Sequence, residues 1–204
     1  MASAKAAFSQ RIQYPWRKVL TGLLMMAIGL GTSLTSQAQM PMTGTKKIVL
    51  SNTQGEREVI GTIAFDKAVN GKTPFKIEID PKLGEYFLAM RPFRCLSGEK
   101  QRLCWFPVQK MEQVITPDNL VALEYALMFM KTGPKDLHIN PFNGEYYKLE
   151  WTEKGISGKV FDVDMDPFIT PGAVPPAKRE RPVTYKDISE ADPKSHWLPN
   201  LNIE

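Results

Sequence analysis

Between residues 46 and 108 apolar and polar positions alternate with the period of two that marks strands half-buried in a sheet. Residues 46–51, 57–65 (with Val59, Ile63 and Phe65 on one side) and 75–79 read as three strands, separated by turn sequences at Asn52 to Gly55 and at Asn70-Gly71. Residues 86–96 and 103–108 continue the pattern and predict an antiparallel meander of five strands. The period then changes. Thr116 as N-cap, Pro117 at the first helical position and Asp118 in the first turn announce a helix. Leu120, Leu123, Leu127 and Met130 form its stripe, Val121, Tyr125, Met128 and Phe129 widen it, and Gly133-Pro134 ends it.

Beyond the helix, residues 145–151 and 156–164 form a hairpin pattern around the turn at 152–155, with glycine where a turn needs positive φ. Pro167, Pro171, Pro175, Pro176 and Pro182 then interrupt regular structure, which predicts an extended connector over 167–183. The last stretch, 184–204, carries Trp197 and enough apolar residues to dock back onto the body. The expected fold class is therefore α+β: an antiparallel sheet of about seven strands, able to curl into a partly closed barrel and packed on one main helix. The domain spans 39–166, followed by the Pro-rich connector and a docked C-terminal segment.

The first 38 residues change the charge picture. Lys5, Arg11, Arg17 and Lys18 precede a 16-residue, mainly apolar run at 19–34, shorter than the roughly 20 residues a spanning helix requires. Small side chains at Ser36 and Ala38 then suit cleavage between Ala38 and Gln39, as expected of a Sec-type signal peptide. Those four basic residues equal the whole formal excess of 26 Lys and Arg over 22 Asp and Glu, so the remaining 166 residues balance at zero. A neutral mature chain has no basic footprint for nucleic acid, and its one basic cluster, at 178–181, reads as solvated linker. No membrane span is expected once the leader is removed.

The chain has two cysteines, Cys95 and Cys104. Neither has an adjacent histidine, and their spacing is not the Cys-x-x-Cys of a redox dithiol. A zinc site would need both histidines of the chain to converge on them. With Glu99 and Lys100 at a hairpin tip, Cys95 faces Cys104, Phe93 faces Phe106 and Arg94 faces Trp105. Export supplies the oxidising compartment, and closing a loop of this size stabilises by about 2.7 kcal/mol on the chain-entropy estimate. A structural disulfide is expected.

The remaining chemistry is sparse. Asp162, Asp164 and Asp166 alternate along a strand but lack the glycine and glutamate that would complete a calcium loop, so a solvated strand face is expected. His138 and His196 are candidates for a general base, yet no Gly-x-Ser-x-Gly, His-Glu-x-x-His or phosphate loop accompanies them. No cofactor and no metal is expected. Asn140, Asn143 and Tyr146 form the richest polar-aromatic cluster and a candidate ligand-contact loop. Arg91, Arg94 and Trp105 form a candidate binding surface, with a guanidinium stacked on the indole across the hairpin.

Three stretches, MRPFRCL (90–96), NPFNGEYY (140–147) and EADPKSHWLPNL (190–201), together resemble a family of exported proteins of Gram-negative bacteria to which no activity is assigned. The resemblance implies a periplasmic location and carries over no catalytic residue. Taken together, these readings favour a non-catalytic periplasmic accessory or binding module for an envelope partner or small ligand. The alternative is a hydrolase-type enzyme with its site around His138 or His196, which requires one histidine within hydrogen-bond reach of a carboxylate in a pocket. A third possibility is assembly through the connector.

Overall fold

A computed structural model describes residues 42–88, 91–107, 111–165, 183 and 186–204. The leader, the Ala38–Gln39 junction and all of the connector but Val183 lie outside the described residues.

The first three strands form where alternation predicts them: β1 (Gly44–Ser51), β2 (Arg57–Phe65) and β3 (Thr73–Ile79). Asn70 and Gly71 turn the chain between β2 and β3 with φ of 53° and 74°, the left-handed pair a tight hairpin needs. A bulge between Ile48 and Val49 shifts the β1–β2 register, and Gly61 lies beside it. A Cβ on Gly61 would stand 2.4 Å from the Glu78 carbonyl oxygen of β3, so only glycine lets the strands approach.

Here the structure departs from the expected α+β class. Residues 86–96 are not one strand but a hairpin of β4 (Gly84–Leu88) and β5 (Arg91–Ser97), in which Leu88 pairs with Arg91. Next come β6 (Arg102–Trp105) and the two-residue β7 (Val114–Ile115), which pairs with β3. The main helix is reduced to α1 (Val121–Ala126), six residues long. Thr116 forms an isolated bridge with Asn119 instead of capping, and the Asn119 side chain accepts from the Val121 amide. The rest of the anticipated helix is β8 (Phe129–Thr132), seated between β6 and the next strand. The physical reason lies in the sequence around it. Residues 120–130 are apolar on nearly every side, so their periodicity cannot separate a buried helix from a buried strand. Two flanking strands supply β8 with backbone partners, which outweighs extending a short helix.

The second hairpin, β9 (Gly144–Thr152) and β10 (Gly155–Val163), turns as expected, with Gly155 at φ 138°. The C-terminal segment does more than dock on a finished domain. It supplies β11 (Ile188–Glu190) and β12 (Asn200–Ile203), which share one edge of β10; β12 also pairs with β1. Among the described residues one antiparallel sheet of 12 strands results, in the order β4-β5-β6-β8-β9-β10-β12-β1-β2-β3-β7, with β11 beside β10. Phe75, Ile79 and Ile115 at one end of that order share a core with Leu83, Leu96 and Leu103 near the other, so the sheet curls around its apolar face. The fold is mostly β, with α1 packed into the same core through Leu123.

Candidate functional site

The cysteine hairpin has the register its sequence predicts: Arg94 faces Trp105, Cys95 faces Cys104 and Leu96 faces Leu103. The two sulfurs are at bonding distance, both residues are buried with Leu88 and Phe93, and Phe93 stacks on Phe106 at 5.9 Å. Its cation–π contact differs from the expected one. Arg102, not Arg94, lies over an aromatic ring, that of Tyr86 at 4.0 Å. The Arg102 guanidinium also donates to the carbonyls of Pro134 and Asp136, pinning the loop that follows β8. Trp105 donates its indole N–H to the Ala126 carbonyl at 2.8 Å, joining β6 to α1. Arg94 is half-buried with its Nε atom unpaired, and the Arg91 side chain lies outside the described residues. The hairpin is thus tied into the fold on both faces.

The Asn140, Asn143 and Tyr146 cluster divides. Asn140 accepts from the Phe142 amide and starts a 3-10 turn at Pro141–Asn143, whose last residue leads directly into β9. Tyr146 is buried on the far side, where its hydroxyl donates to Glu124 of α1. Glu124 also accepts from the Leu149 amide at 2.7 Å. That amide faces away from β10 and has no strand neighbour there, because β8 pairs only with Gly144 and Glu145 of β9. A carboxylate on a six-residue helix therefore completes the strand edge. Burial raises the Glu124 carboxyl above the ordinary glutamate range, against the lowering effect of its Tyr146 and Leu149 hydrogen bonds and of Lys148.

Beside this pair lies an open groove of about 590 Å³. Asp118, Asn119 and Glu124 wall it on the α1 side, and Lys148, Glu150 and Trp151 on the β9 side. It joins exposed charged side chains to an indole and to a strand edge, a combination suited to holding a polar ligand.

The second constellation is centred on His196. Its Nδ1 lies 2.8 Å from Glu145 Oε1, and both side chains are 1% exposed. Its Nε2 lies 3.2 Å from Asp162 Oδ1 and 3.4 Å from Lys131 Nζ. Lys131 Nζ is in turn 3.7 Å from Asp162 Oδ1. Register explains the convergence: Glu145 and Asp162 are cross-strand partners on β9 and β10, so they share a face, and Phe129 of β8 pairs with Glu145. Burial alone lowers the pKa of the imidazole, and Lys131 acts the same way. The hydrogen bond and charge of Glu145, with Asp162, outweigh both, and the net direction is upward. Asp162 is therefore part of an ion network and not of a solvated strand face. Tyr147, buried behind it, donates to the Leu198 carbonyl at 2.8 Å.

His138 is exposed, and its backbone carbonyl accepts from the Thr132 hydroxyl. The structure thus brings one of the two histidines to a carboxylate, but the groove is walled by other residues. Glu145, Lys131 and Glu124 escape sequence reasoning, although one signal for Glu145 was present. Positions 145, 147 and 149 share a face of β9, and a glutamate in line with Tyr147 and Leu149 is a charge on a core-facing register. Among the described residues no group of His, Cys, Asp and Glu could hold a metal ion, and no helix is long and apolar enough to cross a membrane. The chain matches no family model, no curated protein and no solved structure.

Proposed function

We propose that this protein is a non-catalytic binding module of the bacterial periplasm, and that the groove between α1 and β9 holds its small ligand or a segment of an envelope partner. The observation that carries the reading is the separation of the two constellations. The residue types that could do chemistry are consumed in fixing the C-terminal segment, with His196 and Glu145 each 1% exposed. The open groove, by contrast, presents Asp118 and Asn119 beside α1 and Lys148 and Glu150 on β9 to solvent. The leader-like first 38 residues, the buried cysteine pair and the resemblance to exported proteins support the periplasmic address.

The alternative, a hydrolase around His196, has its imidazole–carboxylate pair. Its Nε2, however, faces Asp162 and Lys131, where a nucleophilic hydroxyl or thiol would have to stand. The test is a fragment and envelope-extract screen on the full mature chain, read by amide chemical shifts. Shifts confined to residues 117–124 and 146–151, and lost in a groove-filling Val121→Trp variant, are expected. Shifts centred on His196 and Asp162, accompanied by turnover, would overturn the reading.

A further inference from the structure

Residues 192–199 lead directly into β12, and β12 separates β1 from β10. Side chains and a backbone amide from distant parts of the sheet grip this lead. The Gln101 amide, at the tip of the cysteine hairpin, donates to the Ser195 carbonyl at 2.7 Å and accepts from the Trp197 amide at 2.9 Å. Tyr147 takes the Leu198 carbonyl, and the Val160 amide donates to the Pro199 carbonyl. None of these changes charge in the neutral pH range. His196 does.

The charged and titratable groups facing its ring are Lys131 from β8, Glu145 and the neighbouring Tyr147 from β9, and Asp162 from β10. On its own segment Asp192 and Lys194 are exposed. With a protonated ring the two cations and two carboxylates cancel. The ring nitrogens then have two distinct fates. Nδ1 has one partner, Glu145, whereas Nε2 has two of opposite character at nearly equal range: an acceptor, Asp162, and a donor, Lys131. A protonated Nε2 can use only the first and a bare Nε2 only the second.

We propose that these four residues form a proton-operated latch on the C-terminal strand: the protonated His196 ring bridges Glu145 to Asp162, and the neutral ring keeps Glu145 but exchanges Asp162 for Lys131. The latch is stronger with the protonated ring, whose positive charge lies between the two carboxylates, and weaker with the neutral ring, which brings no charge of its own to Glu145 and only accepts from Lys131. It holds closed the seam where β12 lies between β1 and β10. This device does not depend on the groove binding anything.

The experiment uses the full mature chain. Imidazole ¹⁵N shifts of wild type are followed from about pH 5 to about pH 9, the range in which histidine titrates. Hydrogen exchange of the β12 amides, corrected for intrinsic rates, is followed in parallel. His196 should titrate between a doubly protonated ring and an Nδ1–H tautomer. Opening of β12 should increase as the proton leaves, by up to about tenfold for each unit separating the folded and unfolded pKa values. Asp162→Asn should flatten that pH dependence and Lys131→Met should steepen it; both positions are partly exposed, so the variants are expected to fold. A neutral Nε2–H tautomer, or β12 protection in wild type that ignores pH, would overturn the proposal. So would identical profiles for the two variants.

Discussion

Glu145 occupies a position that the alternation of β9 assigns to the core, and a charge there is tolerated only because His196 meets it at 2.8 Å. Removing it as Glu145→Ala leaves a buried imidazole without its main partner, and a loss of about 3–5 kcal/mol is expected in chemical denaturation. Glu145→Gln, which can still accept a hydrogen bond, should cost less than half of that. Glu124 makes a prediction about pH. Its folded pKa is raised, so it contributes stability below its unfolded value, and that contribution is lost as pH rises through the folded value. Wild type should therefore gain stability from this carboxyl on acidification from neutrality. In Glu124→Gln that gain should vanish with little change at pH 7, as seen in urea midpoints against pH. The partner of neither glutamate can be read from the linear sequence, because packing between distant elements fixes it: His196 for Glu145, and Tyr146 with the Leu149 amide for Glu124.

At the scale of elements, the register of the cysteine hairpin was legible, because its two-residue tip leaves one pairing that brings Cys95 to Cys104; its strand ends and its cation–π contact were not. Reduction, or the paired replacement Cys95→Ser with Cys104→Ser, should destabilise by about 2–3 kcal/mol. An unchanged denaturation midpoint, or no mass gain on reduction and alkylation, would refute that role. The stretch after Thr116 was not legible. Leu120 to Met130 satisfies a helical stripe, yet Phe129 and Met130 point to opposite faces of a strand and enter separate core clusters. Gly61 shows the converse, a residue whose importance appears only when β3 arrives. Gly61→Ala drives a methyl into the Glu78 carbonyl and should cost about 1–3 kcal/mol in thermal or chemical unfolding.

For the molecule as a whole, the C-terminal segment is the element whose standing changes most. Its apolar residues predict a docked appendage, and Leu201 and Ile203 are indeed buried; but the strand they form lies inside the sheet. Ending the chain at residue 199 removes β12 and leaves the edges of β1 and β10 unpaired in the middle of the fold. Such a truncation should abolish cooperative unfolding and aggregate, as judged by circular dichroism and size exclusion. Survival of a cooperative transition would show that β1 and β10 can close without it.

Neighbours along the chain set the first three strands, the Asn70-Gly71 turn, the hairpin of 144–163, and the turn at Glu99-Lys100 that opposes the cysteines. Two-residue periodicity and turn chemistry act over a few residues, and they are strong there. Which strands lie side by side was settled by long-range packing. The pairing of β12 with β1, the loss of the long helix to β8, the Glu124 cap on β9 and the convergence of Lys131, Glu145, Asp162 and His196 all depend on contacts between distant segments. Those contacts are selected by the burial and backbone pairing of the whole sheet, and no local pattern encodes them.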